Sequence, residues 1–213
     1  MTEIIYLHGF ASSPASSKAR FFRDRLERAG ARVQVPDLAA GDFEHLTITA
    51  QLAVLDRAAG GRPVALMGSS MGGYLAALYA ARHPEITRLV LLAPAFGFSR
   101  RWPSRLGPNA VDEWRRRGTM EFFHYGENRM RALSYGLLED AAQYEEFPGF
   151  HQPALIFHGE KDDVVPVELS QQFAAAHANA HLETVDSGHE LLNVLDHLAR
   201  QVVPFLTRAP MAP

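Results

Sequence analysis

Six short apolar runs recur along the chain: IIYLH (4–8), RVQVP (32–36), PVALM (63–67), RLVLLA (88–93), ALIFH (154–158) and HLETV (181–185). Most are near-continuous rather than alternating. A strand buried on both faces reads that way, because neither of its two faces meets water. Segments with helical periodicity lie between the runs. SSKARFFRDRLERAG (16–30) places Phe21, Phe22, Leu26 and Ala29 near one face and ends at Gly30. Residues 43–59 satisfy the same test, and 71–83 stop at Pro84. The segments 167–178 and 189–206 complete the pattern. Strands that alternate with helices predict an α/β fold, with a mainly parallel six-stranded sheet flanked by helices. The 213 residues suit one domain, expected over 1–207, and the Pro-rich tail RAPMAP (208–213) is expected to fray.

One interval breaks the rhythm. Between Ala93 and Pro153 no clear strand is visible, and a structureless stretch of about 60 residues is foreign to a compact domain. Residues 94–152 are therefore expected to form a small helical cap inserted over one end of the sheet.

Composition narrows the chemistry. There is no Cys, which removes disulfides, thiolate metal sites and a cysteine nucleophile, and suits a cytoplasmic protein. The formal charge of −3 is too near zero to argue for nucleic acid or a membrane surface. No apolar run approaches the ~18 residues of a membrane span, and MTEIIYLHG enters a strand at once, so no signal peptide is expected. No clustered carboxylate spacing suggests a metal, the H-x-x-x-H pair His177 and His181 falls on expected helix and strand faces, and no cofactor is expected.

The stretch GSSMGG (68–73) lies between the third strand and the helix after it. It matches G-x-S-x-G in one register: Gly68, Ser70 and Gly72 hold the fixed positions, and Ser69 fails because Met67 stands where a Gly is required. In a strand–turn–helix context this pattern makes a nucleophile elbow. The serine backbone is strained, and the flanking glycines let strand and helix pass with no Cβ between them. A Gly-rich phosphate-binding loop is the bland alternative.

A serine hydroxyl needs a base, and the base an orienting carboxylate, in chain order Ser, Asp/Glu, His. HGEKDDVVP (158–166) follows the fifth strand and offers Asp162 and Asp163, with Asp186 a third option. DSGHEL (186–191) follows the sixth and offers His189. All these positions fall at the carboxyl ends of strands, where open α/β sheets bind ligands. Any single one of the ten His means little, and His177, His181 and His197 suit helix or strand faces. An oxyanion hole needs two amides: the residue after the nucleophile, Met71, and the loop HGFASSP (8–14), where Phe10 would offer its N–H. His8 in that loop precedes Ser70 and suits a hydrogen-bonded structural role.

Taken together these residues resemble the α/β-hydrolase superfamily over nearly the whole chain. The opening YLHGFASSPASSKA is similar to the start of the small bacterial esterases of the YqiA type, and GSSMGG to their nucleophile elbow. The resemblance implies a serine esterase or thioesterase on a minimal sheet lacking the two N-terminal strands of larger relatives. GEKDDVVP resembles the superfamily's acid loop G-x-x-D-x-V-V-P, which maps the acid onto Asp162. The insertion and KDDVVP are also similar to the mitochondrial abhydrolase-type acyl-protein thioesterases and acyl-glucuronide esterases.

The expected substrate is a small acyl ester or thioester of short to medium chain. Aromatic residues of the insertion, Phe96, Trp102, Trp114 and Phe122 with Phe98, Phe123 and Tyr125, are candidates for an acyl pocket or for plain packing of the cap. Arg100, Arg101, Arg105 and Arg115 to Arg117 suit a solvated helix face better than an anion site. Two other readings stand beside hydrolysis: a non-catalytic ligand-binding or scaffold member of the fold, and acyltransfer, perhydrolysis or lyase chemistry on the same triad. The sequence leaves oligomeric state open.

Overall fold

The structure is a computed structural model and describes residues 1–208, so the tail expected to fray lies outside the described residues except for Arg208. The first half runs β1 (Glu3–Leu7), α1 (Ser17–Arg28), β2 (Arg32–Gln34), α2 (Ile48–Ala59), β3 (Ala65–Ser69), α3 (Met71–Ala80) and β4 (Leu89–Leu92). An insertion follows: α4 (Phe98–Leu106), α5 (Pro108–Arg117), β5 (Thr119–His124), β6 (Arg129–Ser134) and α6 (Gly136–Ala141). The chain then returns through β7 (Ala154–Gly159), α7 (Val167–Ala176), β8 (Ala180–Val185), a 3₁₀ turn at Leu192–Val194 and α8 (Leu195–Thr207).

All six expected strands form and make one sheet in the order β2-β1-β3-β4-β7-β8, with every pairing parallel. The alternation of side chains explains why the strands look continuously apolar. Ile5, Leu7, Leu66, Leu89 and Leu91 face one core with α2, α3 and α7, while Ile4, Tyr6, Met67, Val90 and Leu92 face a second core with α1 and α8. The two edge strands are the exceptions: β2 has Arg32 and Gln34 exposed, and β8 has His181 exposed with Leu182, Glu183 and Thr184 half-buried. The chain order reverses between β1 and β3, so the loops after these two strands flank a crevice at the carboxyl edge of the sheet. α3 is buried along its whole length, which is why its sequence is apolar on every face.

Helix boundaries move where side chains dictate. The segment expected to be helical from 43 becomes α2 only at Ile48, because the Thr47 hydroxyl caps the helix by accepting the Ala50 N–H at 2.9 Å. The stretch from 189 is loop and 3₁₀ turn until Leu195.

The insertion contains helices, as expected, and also a two-stranded antiparallel hairpin that the expectation of a small helical cap omits. β5 and β6 pair from Thr119↔Ser134 to His124↔Arg129. TMEFFH alternates with Met120, Phe122 and His124 turned inward and Glu121 and Phe123 outward, the period of a half-buried strand. Two adjacent phenylalanines among arginine-rich segments mask that period.

Candidate active site

Ser70 sits between the last residue of β3 and the first of α3, at φ 54° and ψ −117°. This is a strained conformation for a residue with a Cβ. The backbone on both sides holds it there. The Ser70 N–H donates to the Leu92 carbonyl at 2.8 Å, and the Ser70 carbonyl accepts the N–H groups of Gly73 (3.0 Å), Tyr74 (3.1 Å) and Ala95 (3.0 Å). The expected elbow glycines are sterically required. A Cβ on Gly68 would lie 2.2 Å from the Gly72 carbonyl oxygen, and one on Gly72 would lie 2.1 Å from that of Leu7.

The sharp turn aims the Ser70 hydroxyl at His189. Ser70 Oγ and His189 Nε2 are 3.0 Å apart, and His189 Nδ1 lies 2.7 Å from Asp162 Oδ2. The Nδ1–H of His189 therefore donates to Asp162, leaving Nε2 free to accept from the serine. The carboxylate is 0% exposed, and its other oxygen accepts the N–H groups of Val164 and Val165, each at 2.8 Å. Burial pushes this carboxyl up, but the hydrogen bonds from His158, His189 and the Val165 N–H outweigh it, and the group is held below the usual carboxylate range. Of the three carboxylates considered, only Asp162 reaches His189. Asp163 is exposed, and the Asp186 carboxylate pairs with Lys161 at the surface.

The acid and histidine loops support one another. The Glu160 N–H donates to Val185 O at 2.9 Å and the Lys161 N–H to Ser187 O at 3.0 Å. The histidine loop is braced from within by Asn193, which binds the Ser187 hydroxyl and the Asp186 carbonyl.

The loop after β1 lies beside the serine: a Cβ on Gly9 would come within 3.6 Å of Ser70 Cβ. Met71 begins α3, so its N–H belongs to the unpaired first turn of a helix. The Phe10 ring packs on Phe43, Trp102 and Phe122 with centroid separations of 5.6, 5.0 and 5.7 Å. His8 is buried and structural. Its Nδ1 lies 3.0 Å from the Gly9 carbonyl, and its Nε2 accepts the Leu38 N–H at 3.4 Å.

The four aromatic candidates separate. Trp102 and Phe122 are half-buried beside Phe10. Trp114 is 0% exposed and spends its indole N–H on the Leu133 carbonyl at 2.8 Å. Phe96, also 0% exposed, stacks on Phe173 at 4.5 Å, away from the Phe10 cluster. Phe96 thus holds the insertion to α7, while Trp114 packs the insertion's own helices and hairpin together against Trp102, Phe122 and Tyr135. The arginines are engaged as well. Arg100 pairs with Glu146, Arg115 with Asp112, and Arg116 and Arg117 with Glu113. Arg101 and Arg105 on α4 donate to backbone carbonyls of the acid loop, both to Val164 and Arg105 also to Asp163.

His158 is a neighbour of the acid that sequence reasoning missed, and Arg101 and Arg105, expected on a solvated helix face, instead bind the acid loop. For His158 the signal was present, since the residue closes the apolar run ALIFH that delivers the acid. Among the described residues no group of three or more His, Cys, Asp or Glu is placed to hold a metal ion, and no helix is long and apolar enough to cross a membrane.

Solved structures share the fold. Alpha/beta hydrolase domain-containing protein 10 from mouse matches with a TM-score of 0.80 at 19% identity, over 95% of this chain and 88% of its own. A monoacylglycerol lipase from Paleococcus ferrophilus matches with a TM-score of 0.78 at 18% identity, over 96% and 93%. Est1E from Butyrivibrio proteoclasticus, in a structure with ferulic acid bound, matches with a TM-score of 0.78 at 21% identity, over 96% and 88%. At such identities the likeness establishes the α/β-hydrolase fold. No curated protein matches the sequence. The model of the uncharacterised protein family UPF0227 matches residues 3–207, and the chain belongs to that family.

Proposed function

We propose that the protein is a serine hydrolase that cleaves small carboxyl esters or thioesters of short to medium acyl chain through an acyl-enzyme on Ser70. The observation that carries this reading is the unbroken chain from Ser70 Oγ through His189 to Asp162, at 3.0 and 2.7 Å, on a turn strained at φ 54°. A scaffold or receptor has no need to hold a serine backbone in that conformation.

In the proposed cycle His189 Nε2 takes the Ser70 proton as Oγ attacks the acyl carbonyl. The developing oxyanion is received by the N–H groups of Met71 and Phe10, with the positive end of α3 behind the first. Asp162, already an anion below the usual carboxylate range, fixes the His189 tautomer and stabilises its imidazolium. His189 then protonates the leaving alcohol or thiol, and water repeats the sequence on the acyl-enzyme. The half-buried faces of Trp102 and Phe122 beside Phe10 would take the acyl group. The pairing of Arg115, Arg116 and Arg117 with their own helix's carboxylates favours substrates that lack a large anion.

The test is labelling of the purified protein with a small fluorophosphonate, followed by peptide mapping. An adduct on Ser70 that disappears in His189→Ala is the expected result, and folded protein that stays unlabelled overturns the reading. A panel of p-nitrophenyl esters, acyl thioesters and a feruloyl ester, with water and an added alcohol as competing acceptors, then separates ester from thioester cleavage and hydrolysis from acyltransfer.

A further inference from the structure

Asp162 faces two imidazoles. On Oδ2, His189 Nδ1 stands at 2.7 Å and His158 Nε2 at 3.1 Å. His158 lies four residues before Asp162, within β7, and is 0% exposed. Its Nε2 also lies 2.8 Å from the Val165 carbonyl oxygen. Two acceptors facing one nitrogen require that nitrogen to carry the proton, so His158 donates on this edge. On the other edge Nδ1 meets the Ser170 hydroxyl of α7 at 2.7 Å, and the hydroxyl donates to the ring. Both ring nitrogens are thus committed and buried, so His158 is not a second base.

We propose that His158 is a positioning residue for the acid: it fixes Oδ2 of Asp162 towards His189 and draws part of the negative charge that Asp162 presents to it. The inference rests on the catalytic reading of Ser70, His189 and Asp162. Two backbone N–H groups on Oδ1 set the plane of the carboxylate, and on Oδ2 the His189 Nδ1–H is joined by the His158 Nε2–H, which is shared with the Val165 carbonyl. A carboxylate oxygen that accepts a second hydrogen bond stabilises its first partner's positive charge less. Removing the His158 donor therefore concentrates charge on the bond to His189 and favours the imidazolium before substrate arrives. Arg101 of α4 and Lys18 of α1 also bear electrostatically on Asp162, and both are left unchanged in the comparison.

The experiment measures kcat and kcat/KM against pH on a p-nitrophenyl ester for the wild type, His158→Met and His158→Gln. Met keeps the volume and loses the donor, whereas the Gln amide can place an N–H near the position of Nε2. His158→Met is expected to lower kcat about tenfold with KM little changed. It should also move the acidic limb of the profile about half a pH unit upward. His158→Gln is expected to restore both. Equal losses in the two variants with an unmoved limb would mean that His158 only packs, and the proposal would fall. Where His158→Met does not fold, histidine-labelled NMR replaces it. The His158 Nε2–H resonance of the wild type is expected to move in Asp162→Asn, and an unmoved resonance overturns the proposal. Fluorophosphonate reactivity keeps the two ideas apart. A reactive Ser70 with an unmoved His158 resonance sinks the proposal alone. An unreactive Ser70 with a shifted resonance sinks the catalytic reading and leaves the hydrogen bond standing.

Discussion

The Tyr125 N–H donates to the Ala11 carbonyl at 2.7 Å, which ties the tip of the insertion's hairpin to the loop that carries Phe10. Ala11 itself stands at φ 51°, an uncommon conformation for a residue with a Cβ. One residue past Tyr125, Gly126 packs so closely that a Cβ there would lie 2.7 Å from Ser13 Cβ. The hairpin is therefore a brace for the proposed oxyanion loop as well as a cover for the sheet edge. Gly126→Ala is expected to displace the brace and to lower kcat on an ester about tenfold, with only a small fall in thermal midpoint. Ser13→Gly in the same chain removes the colliding carbon and should recover most of the rate. A Gly126→Ala enzyme with wild-type kcat would show that the hairpin has no hold on the oxyanion loop.

The strain at Ser70 can be separated from its chemistry. Ser70→Ala removes the nucleophile and keeps a Cβ at φ 54°, so activity should fall by about four orders of magnitude or more while the strain persists. Ser70→Gly removes the nucleophile and the Cβ together. It should be about 1 kcal/mol more stable than Ser70→Ala, since glycine adopts positive φ without penalty. Urea unfolding of the two variants decides the point, and equal stabilities would mean that the turn is not strained in solution.

These two sites differ in how openly the sequence announces them. The four inner strands β1, β3, β4 and β7 were legible because burial on both faces removes polar residues from a strand, and the order of the strand-end residues Ser70, Asp162 and His189 survives in the chain. The hairpin was not legible. Its inward positions Met120, Phe122 and His124 alternate with Glu121 and Phe123, but six residues of alternation beside Arg115, Arg116 and Arg117 carry little signal. The separation of Phe96 and Trp114 from Trp102 and Phe122 was also out of reach. All four are aromatic, and only tertiary packing decides that Trp102 and Phe122 face Phe10, that Phe96 faces Phe173, and that Trp114 is sealed behind Trp102 and Phe122. The choice between Asp162 and Asp163 rested on resemblance. The geometry adds a physical reason, since the N–H groups of Val164 and Val165 converge on the Asp162 carboxylate while Asp163 is exposed.

Close approach makes the elbow glycines a sharper test of the fold than any core aliphatic. Gly72 lies against the end of β1, where an added Cβ would meet Leu7 O at 2.1 Å and His8 O at 2.6 Å. Both obstacles are backbone, so neither can rotate away. Gly72→Ala is expected to destabilise the protein by more than about 3 kcal/mol, and Gly68→Ala by a comparable amount, because its Cβ would meet the Gly72 carbonyl. Gly9→Ala, with contacts at ordinary van der Waals distance, should cost far less. Thermal melts of the three variants give the ranking, and a Gly72→Ala protein that melts with the wild type would contradict the packing described.

Stability should fall as the medium is made mildly acidic, and two buried imidazoles set where. Burial pushes His8 below the ordinary histidine value, and burial does the same at His124. Each ring spends a lone pair on a backbone N–H: His8 Nε2 accepts from Leu38 at 3.4 Å and His124 Nδ1 from Glu127 at 3.1 Å. Protonation would turn each acceptor into a donor facing a donor. In the unfolded chain both groups take up protons near the usual value of about 6.5, whereas the folded protein resists them. The unfolded state then binds more protons below that pH, so unfolding becomes easier as pH falls through it. Asp162 acts in a separate window. Its carboxyl is held below the carboxylate range, so its contribution is present above about pH 4 and is lost only in stronger acid. The thermal midpoint is expected to drop between pH 7.5 and pH 5.5. His124→Asn, whose amide oxygen can still accept the Glu127 N–H and does not titrate, should flatten part of that slope. The charged neighbours that bear on these rings, Asp37, Glu127 and Arg131, remain in place in that variant. A midpoint that stays level across the interval, or a His124→Asn slope as steep as the wild type, would show that these two histidines do not couple folding to pH.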